Sequence, residues 1–253
     1  KMEIKATKIM NSMTSKIAAI DLFCGVGGLT HGLIKAGIPV SAGIDMDVSR
    51  RYAYERNNGT TFIHKNIKEF RDEELKKLYP QVDVKILVGC APCQPFSKHT
   101  HKNRQHREDE EWGLLYHFSR LIKQTEPTII SMENVPQIAK HKVFHDFTEG
   151  LQSLGYHVFW KFVFCPDYGI PQNRTRLVLL ASKLGDIEIL PPTHKPSKYR
   201  TVKDTISKLE PIKAGEVSKS DPLHRSSGLE PINLERIKNS RPGVRQGAKE
   251  RTI

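Results

Sequence analysis

The run Cys90-Ala-Pro-Cys-Gln-Pro-Phe-Ser97 sets two thiols three positions apart, directly after the apolar stretch Val84–Gly89. Three chemistries use such a pair. A zinc half-site needs two further ligands. Neither Cys24 nor Cys165 belongs to a second such pair, and the nearby histidines crowd into one polar run. A dithiol redox site normally opens a helix, whereas Pro95 and a polar loop follow Cys93. The third reading is one nucleophile and one bystander. Cys90 continues the apolar strand and is expected to be buried and inert. Cys93 falls just past it, where a thiol is partly exposed and needs only a route to thiolate.

Other reactive residue types sit at comparable places. Ser131-Met-Glu-Asn-Val135 ends an apolar stretch in a carboxylate and an amide. Burial there would raise the Glu133 pKa and suit it to donate a proton; a structural carboxylate held by backbone amides is the alternative. Arg174 and Arg176, in GIPQNRTRLVLL, are two apart and share a face if a strand has begun. Aimed into a cleft they could hold a carbonyl or phosphate; otherwise they are surface charge.

DLFCGVGGLTHG supplies Gly25, Gly27 and Gly28 for a tight turn, although Thr30 stands where the dinucleotide fingerprint has its third glycine. Asp45 follows about 20 residues later, a position suited to ribose hydroxyls. It could instead cap a helix, a role that Asp47 fits better. Glycine turn and acid together suggest a cofactor containing a nucleoside.

These clusters need a scaffold that brings strand ends together. Buried strands are expected at residues 17–23, 40–45, 84–90, 128–135, 157–164 and 174–182. Helical stretches are expected from the glycine turn to Lys35, after Asp45 to Asn57, and over 111–124, 143–154 and 202–209. Strands alternating with helices indicate an α/β fold with a doubly wound, mostly parallel Rossmann-like sheet. The last two strands lack a helix between them and are expected to pair antiparallel. In such sheets ligands bind beyond the carboxyl ends of the strands, where every cluster above falls.

The 253 residues suffice for one large domain, and 38% hydrophobic content supports a real core. No apolar run reaches the roughly 18–20 residues of a membrane span. The basic N-terminus has no apolar segment behind it, so it does not read as a secretory signal. Four scattered cysteines fit a reducing, cytoplasmic setting better than a disulfide framework. The net charge is +12, of which +7 lies between Pro191 and Ile253. A second basic cluster, Lys98 to Arg107, holds four Lys or Arg, three histidines and no acid. Such patches suit a polyanion such as nucleic acid, or are simply a soluble basic surface.

In this order, DLFCGVGG, the Pro-Cys-Gln core of GCAPCQPFS, MENV and DYGIPQNRTR resemble the sequence blocks of the cytosine-5 DNA methyltransferases, across about Ile17 to Ser182. The resemblance implies S-adenosylmethionine as cofactor, double-stranded DNA with a flipped-out cytosine as substrate, and a place in restriction-modification. It implies that Cys93 is the nucleophile adding to cytosine carbon 6. Glu133 would contact ring nitrogen 3 and the exocyclic amine, and Arg176 the base carbonyl, with Arg174 in support. Phe23, Gly25 and Gly28 would line the cofactor pocket, and Asp45 would take the ribose. Met46 would lie against adenine, Asn66 and Ile67 would form the adenine-contact block, and Leu114 would pack on the cofactor's other side. The basic loop after Cys93 matches a segment that closes on DNA. No metal is implied.

Three regions are expected: an N-terminal extension over 1–15, a catalytic domain over 16–190, and a basic linker over 191–253 leading toward an absent target-recognition domain. On that reading the chain is incomplete or one subunit of a split enzyme. Alone, it would bind DNA weakly and methylate it poorly or not at all. A catalytically idle binding or regulatory relative, and an RNA-directed member of the family, are the rival readings.

Overall fold

A computed structural model describes residues 16–92 and 104–240; for Asp72 and residues 104–112 only the backbone is described. The chain divides into two compact units, Lys1–Val202 and Lys203–Ile253. The first is an α/β unit. Its strands are β1 (Ile17–Leu22), β2 (Val40–Asp45), β3 (Thr61–His64), β4 (Val84–Gly89), β5 (Ile129–Asn134), β6 (His157–Phe164) and β7 (Thr175–Ser182). Between them run α1 (Gly28–Lys35), α2 (Arg51–Asn58), α3 (Asp72–Lys77), α4 (Arg104–Thr125) and α5 (Lys142–Ser153).

The strands form one sheet in the order β3-β2-β1-β4-β5-β7-β6. β1 to β5 are parallel, and β7 runs antiparallel between β5 and β6. The expected antiparallel pairing of the last two strands is therefore present, and β7 also inserts beside β5. The order reverses between β1 and β4, which opens a crevice at their carboxyl ends.

Register makes that crevice a site. Leu22 of β1 pairs with Ile44 of β2 and with Gly89 of β4, and Gly89 pairs with Met132 of β5. The residues just beyond these four, Phe23, Asp45, Cys90 and Glu133, consequently emerge along one rim.

One face of the sheet is covered by α3, α4 and α5. In α5, Val143, Phe144, Phe147 and Leu151 recur at helical spacing and are all buried. Phe147 stacks on Phe118 of α4 with ring centroids 5.7 Å apart. These rings pack with Leu22, Leu87, Ile130, Met132 and Leu179 in the main core. Truncating a fully buried phenylalanine such as Phe118 to alanine would cost about 3–5 kcal/mol. On the opposite face Leu29, Leu33 and Ile38 pack against Ala19, Val40, Ile86 and Val88.

Most element limits match the sequence reading within one or two residues, but several elements differ, among them the helix expected over 202–209, which ends at Ile206. The sequence reading lacked β3, α3 and the helix Pro231–Lys238. β3 is four residues long and is a strand because Thr61–His64 pair with Ala42–Asp45. α3 reads DEELKK, and its one fully buried apolar residue, Leu75, is too little for a periodic pattern. The long helix α4 begins at Arg104, before the expected Glu111, through a polar turn without apolar periodicity.

The second unit contains most of α6 (Val202–Ile206), a bridge between Val217 and Arg225, and α7 (Pro231–Lys238). Neither helix buries a residue. Its Ser218 is buried, donates to Glu210 Oε2 at 2.6 Å and ties the intervening turn. No helix among the described residues is long and apolar enough to cross a membrane.

Candidate active site

The first wall of the crevice is the turn after β1. Phe23, half-buried, has φ 59, followed by Gly25 at φ 52 and Gly27 at φ 87. Three left-handed residues in five fold the chain back at once, and only glycine adopts this conformation without cost. The turn is closed by Cys24 N–H donating to Ile44 O at 3.1 Å and Gly27 N–H to Cys24 O at 2.9 Å. Gly27 then caps α1. No heavy atom lies within 4 Å of where a Cβ would stand at Gly25 or Gly28, so the turn has open space above it.

Asp45 ends β2 opposite that turn. Its Oδ2 accepts from Gly25 N–H at 2.9 Å and its Oδ1 from Asp47 N–H at 2.9 Å. A carboxylate oxygen has two acceptor sites, so both retain capacity for a ligand hydroxyl. Asp47 is the cap, as expected: its Oδ1 accepts from Ser49 N–H and hydroxyl at 3.0 and 2.6 Å. Met46 between them is 66% exposed. His64 Nε2 bonds the Met46 carbonyl at 2.9 Å, which fixes the strand end beneath that side chain.

The other cofactor candidates are less alike. Asn66 Oδ1 accepts from Lys68 N–H at 3.0 Å and caps the short turn Ile67–Glu69. Ile67 is buried in the main core cluster. Leu114 is half-buried on α4. Geometry therefore joins Phe23, Gly25, Gly28, Asp45 and Met46 along one rim, while Ile67 supports it from inside.

The second wall carries a carboxyl paired with an arginine. Glu133, at the end of β5, accepts from Arg176 near the start of β7, with Nε to Oε1 2.7 Å. Antiparallel register makes this pair: Asn134 opposes Leu177, so Arg176 stands one step beyond. Burial pushes the Glu133 carboxyl above the usual carboxylate range, opposed by the Cys90 thiol donating to it and by the Arg174 charge. The Arg176 ion pair pulls in the same lowering direction as those two. β7 begins at Thr175, so the shared-face expectation does not hold for Arg174, which precedes the strand and is exposed. It acts on Glu133 through its charge alone.

Cys93 lies outside the described residues, as does the loop Lys98–Asn103. What holds their base is described. Asn134, 4% exposed, donates from Nδ2 to the Ala91 carbonyl at 3.2 Å, while its Oδ1 accepts from Val135 N–H at 2.8 Å. The strand that presents the acid thus also grips the loop leading to Cys93. Cys90 stands just past β4 and is half-buried rather than the last residue of the strand. Burial raises its thiol pKa strongly, with the Glu133 and Asp21 charges adding. Cys24 is raised in the same way by burial, Asp21 and Asp45, and Cys165 by burial. Every described cysteine is held as a neutral thiol. Among the described residues, no three His, Cys, Asp or Glu gather into a metal-binding group.

The sequence reading missed three polar residues inside the rim. Asp21 is 1% exposed within β1, and burial pushes its carboxyl up to about 7 against the Thr30 hydrogen bond. Thr30 Oγ1 donates to Asp21 Oδ2 at 2.7 Å and stands 3.0 Å from the Tyr54 hydroxyl. The available signal was a lone acid inside the apolar run IAAIDL.

A glycine turn with an acid facing it, a half-buried carboxyl paired with an arginine, and an asparagine that holds the Ala91 carbonyl share one sheet end. The C-5 cytosine-specific DNA methylase family model matches residues 17–240. The chain is 56% identical over 229 residues to the Type II methylase M.HgiDII of Herpetosiphon aurantiacus, covering 89% of this chain and 64% of that protein. It is 31% identical to the Type II methyltransferase M1.HphI of Haemophilus parahaemolyticus, over 79% of this chain and 54% of the relative. A crystal structure assigned as a prophage-encoded DNA modification methyltransferase from E. coli is 26% identical, with a TM-score of 0.64 over 79% of this chain and 57% of that one. The chain thus spans between half and two thirds of the length of these proteins. It belongs to the C-5 cytosine-specific DNA methylase family, whose members use S-adenosylmethionine.

Proposed function

We propose that the protein transfers a methyl group to carbon 5 of a flipped cytosine in double-stranded DNA, through a transient bond between Cys93 and carbon 6. The observation that carries this is the Glu133–Arg176 pair at the rim where Asn134 holds Ala91, two residues before Cys93. The turn supports cofactor binding: open space over Gly25 and Gly28, and a carboxylate at Asp45 with free acceptor capacity. S-Adenosylmethionine, when bound there, supplies an electrophilic methyl group on a sulfonium.

Carbon 5 of cytosine is a poor nucleophile because the ring is aromatic and electron-poor. Addition of the Cys93 thiolate to carbon 6 pushes the ring electrons toward nitrogen 3. Glu133, whose proton affinity burial raises, gives nitrogen 3 a proton as that charge develops. The base carbonyl takes the Arg176 guanidinium from the carboxylate, which removes the ion pair that holds Glu133 charged. Carbon 5 is now enamine-like, and a cofactor held by the Gly25–Gly28 turn and Asp45 would supply the electrophilic methyl group and leave as a neutral thioether. Loss of the carbon 5 proton to solvent, return of the nitrogen 3 proton to Glu133 and cleavage of the carbon–sulfur bond restore the aromatic ring and the thiolate. Because Cys24, Cys90 and Cys165 are held neutral, Cys93 is the one remaining thiol able to act.

In this reading residues 16–190 form the catalytic domain, and 191–253 form a basic linker toward a target-recognition region. That region would lie on the same polypeptide or on a separate subunit, since the relatives are longer than the chain. The test is transfer of a labelled methyl group to DNA, with and without any separately encoded partner. Label on carbon 5 of cytosine is the expected product; no label under either condition contradicts the proposal.

A further inference from the structure

We infer that Tyr54 is a positioning residue for cofactor binding, acting on the turn after β1 from beneath without touching the ligand; this rests on reading that turn as the cofactor site. Tyr54, on α2, has no exposed surface and belongs to a small cluster with Cys24 and Phe62. Its ring fills the space that side chains at two glycines would need. A Cβ at Gly43 would lie 2.3 Å from the Tyr54 Cζ and hydroxyl oxygen, and one at Gly27 would lie 2.8 Å from Cδ2. One ring is thus wedged between the end of β2 and the left-handed turn.

Hydrogen bonds fix the wedge at both ends. Thr30 gives its single hydroxyl hydrogen to Asp21, so its remaining role toward Tyr54 is to accept. The result is a directed chain from the Tyr54 hydroxyl to Thr30 to the Asp21 carboxylate, joining α2, α1 and β1. Such chains strengthen as each bond polarises the next. One helical turn later, Asn58 Nδ2 donates to the Tyr54 carbonyl at 2.9 Å and lies against Gly27. The Tyr54 ring and the Asn58 amide are therefore the floor under Gly27. Two residues earlier, the Gly25 amide holds the Asp45 carboxylate, so a tilt of the floor misdirects Asp45.

The experiment titrates the chain with S-adenosylhomocysteine by calorimetry, alongside the unliganded melting temperature and the methyl-transfer rate at saturating cofactor. Tyr54→Phe keeps the ring and removes the donor. It should weaken binding about 5- to 10-fold, with the saturated rate within about twofold. Thr30→Val should match it, Thr30→Ser should restore wild-type binding, and Tyr54→Phe combined with Thr30→Val should be no weaker than either alone. Wild-type binding by Tyr54→Phe overturns the inference, as do additive losses or a saturated rate that falls as far as the affinity. The two readings separate: Asp45→Ala losing affinity while Tyr54→Phe is silent keeps the cofactor site and removes the role of Tyr54. A wild-type chain that does not bind the probe removes both.

Discussion

Arg176 Nε lies 2.7 Å from Glu133 Oε1, joining the first turn of β7 to the last turn of β5 at the mouth of the crevice. On the proposed mechanism each partner has its own task, and each holds the other until a base arrives. Arg176→Ala should therefore lose more than a contact. Removing the cation leaves burial less opposed, so Glu133 stays protonated to higher pH, while the base carbonyl loses its donor. A fall in methyl-transfer rate of about 100-fold is expected, with Arg176→Lys intermediate because an ammonium cannot reproduce the planar fork. Single-turnover kinetics measure both.

Glu133→Gln should lower the rate by about 100-fold or more, since the amide cannot give nitrogen 3 a proton. The pH profile carries a second sign. The proposed mechanism needs Glu133 protonated and Cys93 ionised, so the rate should rise on the acid side and fall as pH passes the raised Glu133 value. The variant should lose the alkaline fall. A variant that keeps it would assign that limb to another group.

How far this site was legible in the sequence divides by distance along the chain. Asp45, Asp47, Glu133 and the glycine turn announce themselves because a charge or a glycine interrupts an apolar run. Their meeting on one rim follows from parallel register, which the alternation of strands and helices already implied. Arg176 was legible as a residue, but its partner was not: the pairing depends on β7 slipping between β5 and β6. Tyr54 was silent, and Thr30 and Asn134 stood out only as a missing glycine and an amide beside an acid, since none of the three shows its role until packing places it.

Asn134→Ala tests the hold on Ala91, two residues before the proposed nucleophile Cys93. The substitution leaves the Ala91 carbonyl without its bond in a buried setting, a cost of about 1–3 kcal/mol. Chemical denaturation should show that loss. The covalent step should slow well beyond it if the Ala91 bond sets the path of the chain toward Cys93. Equal stability with normal adduct formation would place the Cys93 loop under other control.

Asp21 sets a pH dependence of stability. Its folded value of about 7 lies above that of a free carboxyl, about 3.9, so the native state holds an extra proton between them. Its stabilising contribution is full below about pH 4 and is lost as pH rises through about 7. Asp21→Asn should flatten urea-denaturation stability between pH 5 and pH 8, a difference on the order of a few kcal/mol in the wild type. An unchanged slope would show that Asp21 is ionised throughout.

Gly43→Ala is expected to damage cofactor binding and folding together. The added methyl would stand 2.3 Å from the Tyr54 ring, which is enclosed and cannot retreat. Overpacking of this kind costs about 1–3 kcal/mol. Thermal melting with and without S-adenosylhomocysteine separates the two effects; an unaltered melting temperature would mean that the ring has room to move.

The most direct test is covalent trapping. DNA carrying 5-fluorocytosine cannot lose fluorine as a cation after methyl transfer, so an enzyme that attacks carbon 6 stays attached to its substrate. Incubated with that DNA and S-adenosylmethionine, together with any separately encoded partner, the protein should form a denaturation-resistant adduct. Peptide mapping should place it on Cys93, and Cys93→Ala should abolish it. An adduct that survives Cys93→Ala, or none under any of these conditions, would contradict the mechanism.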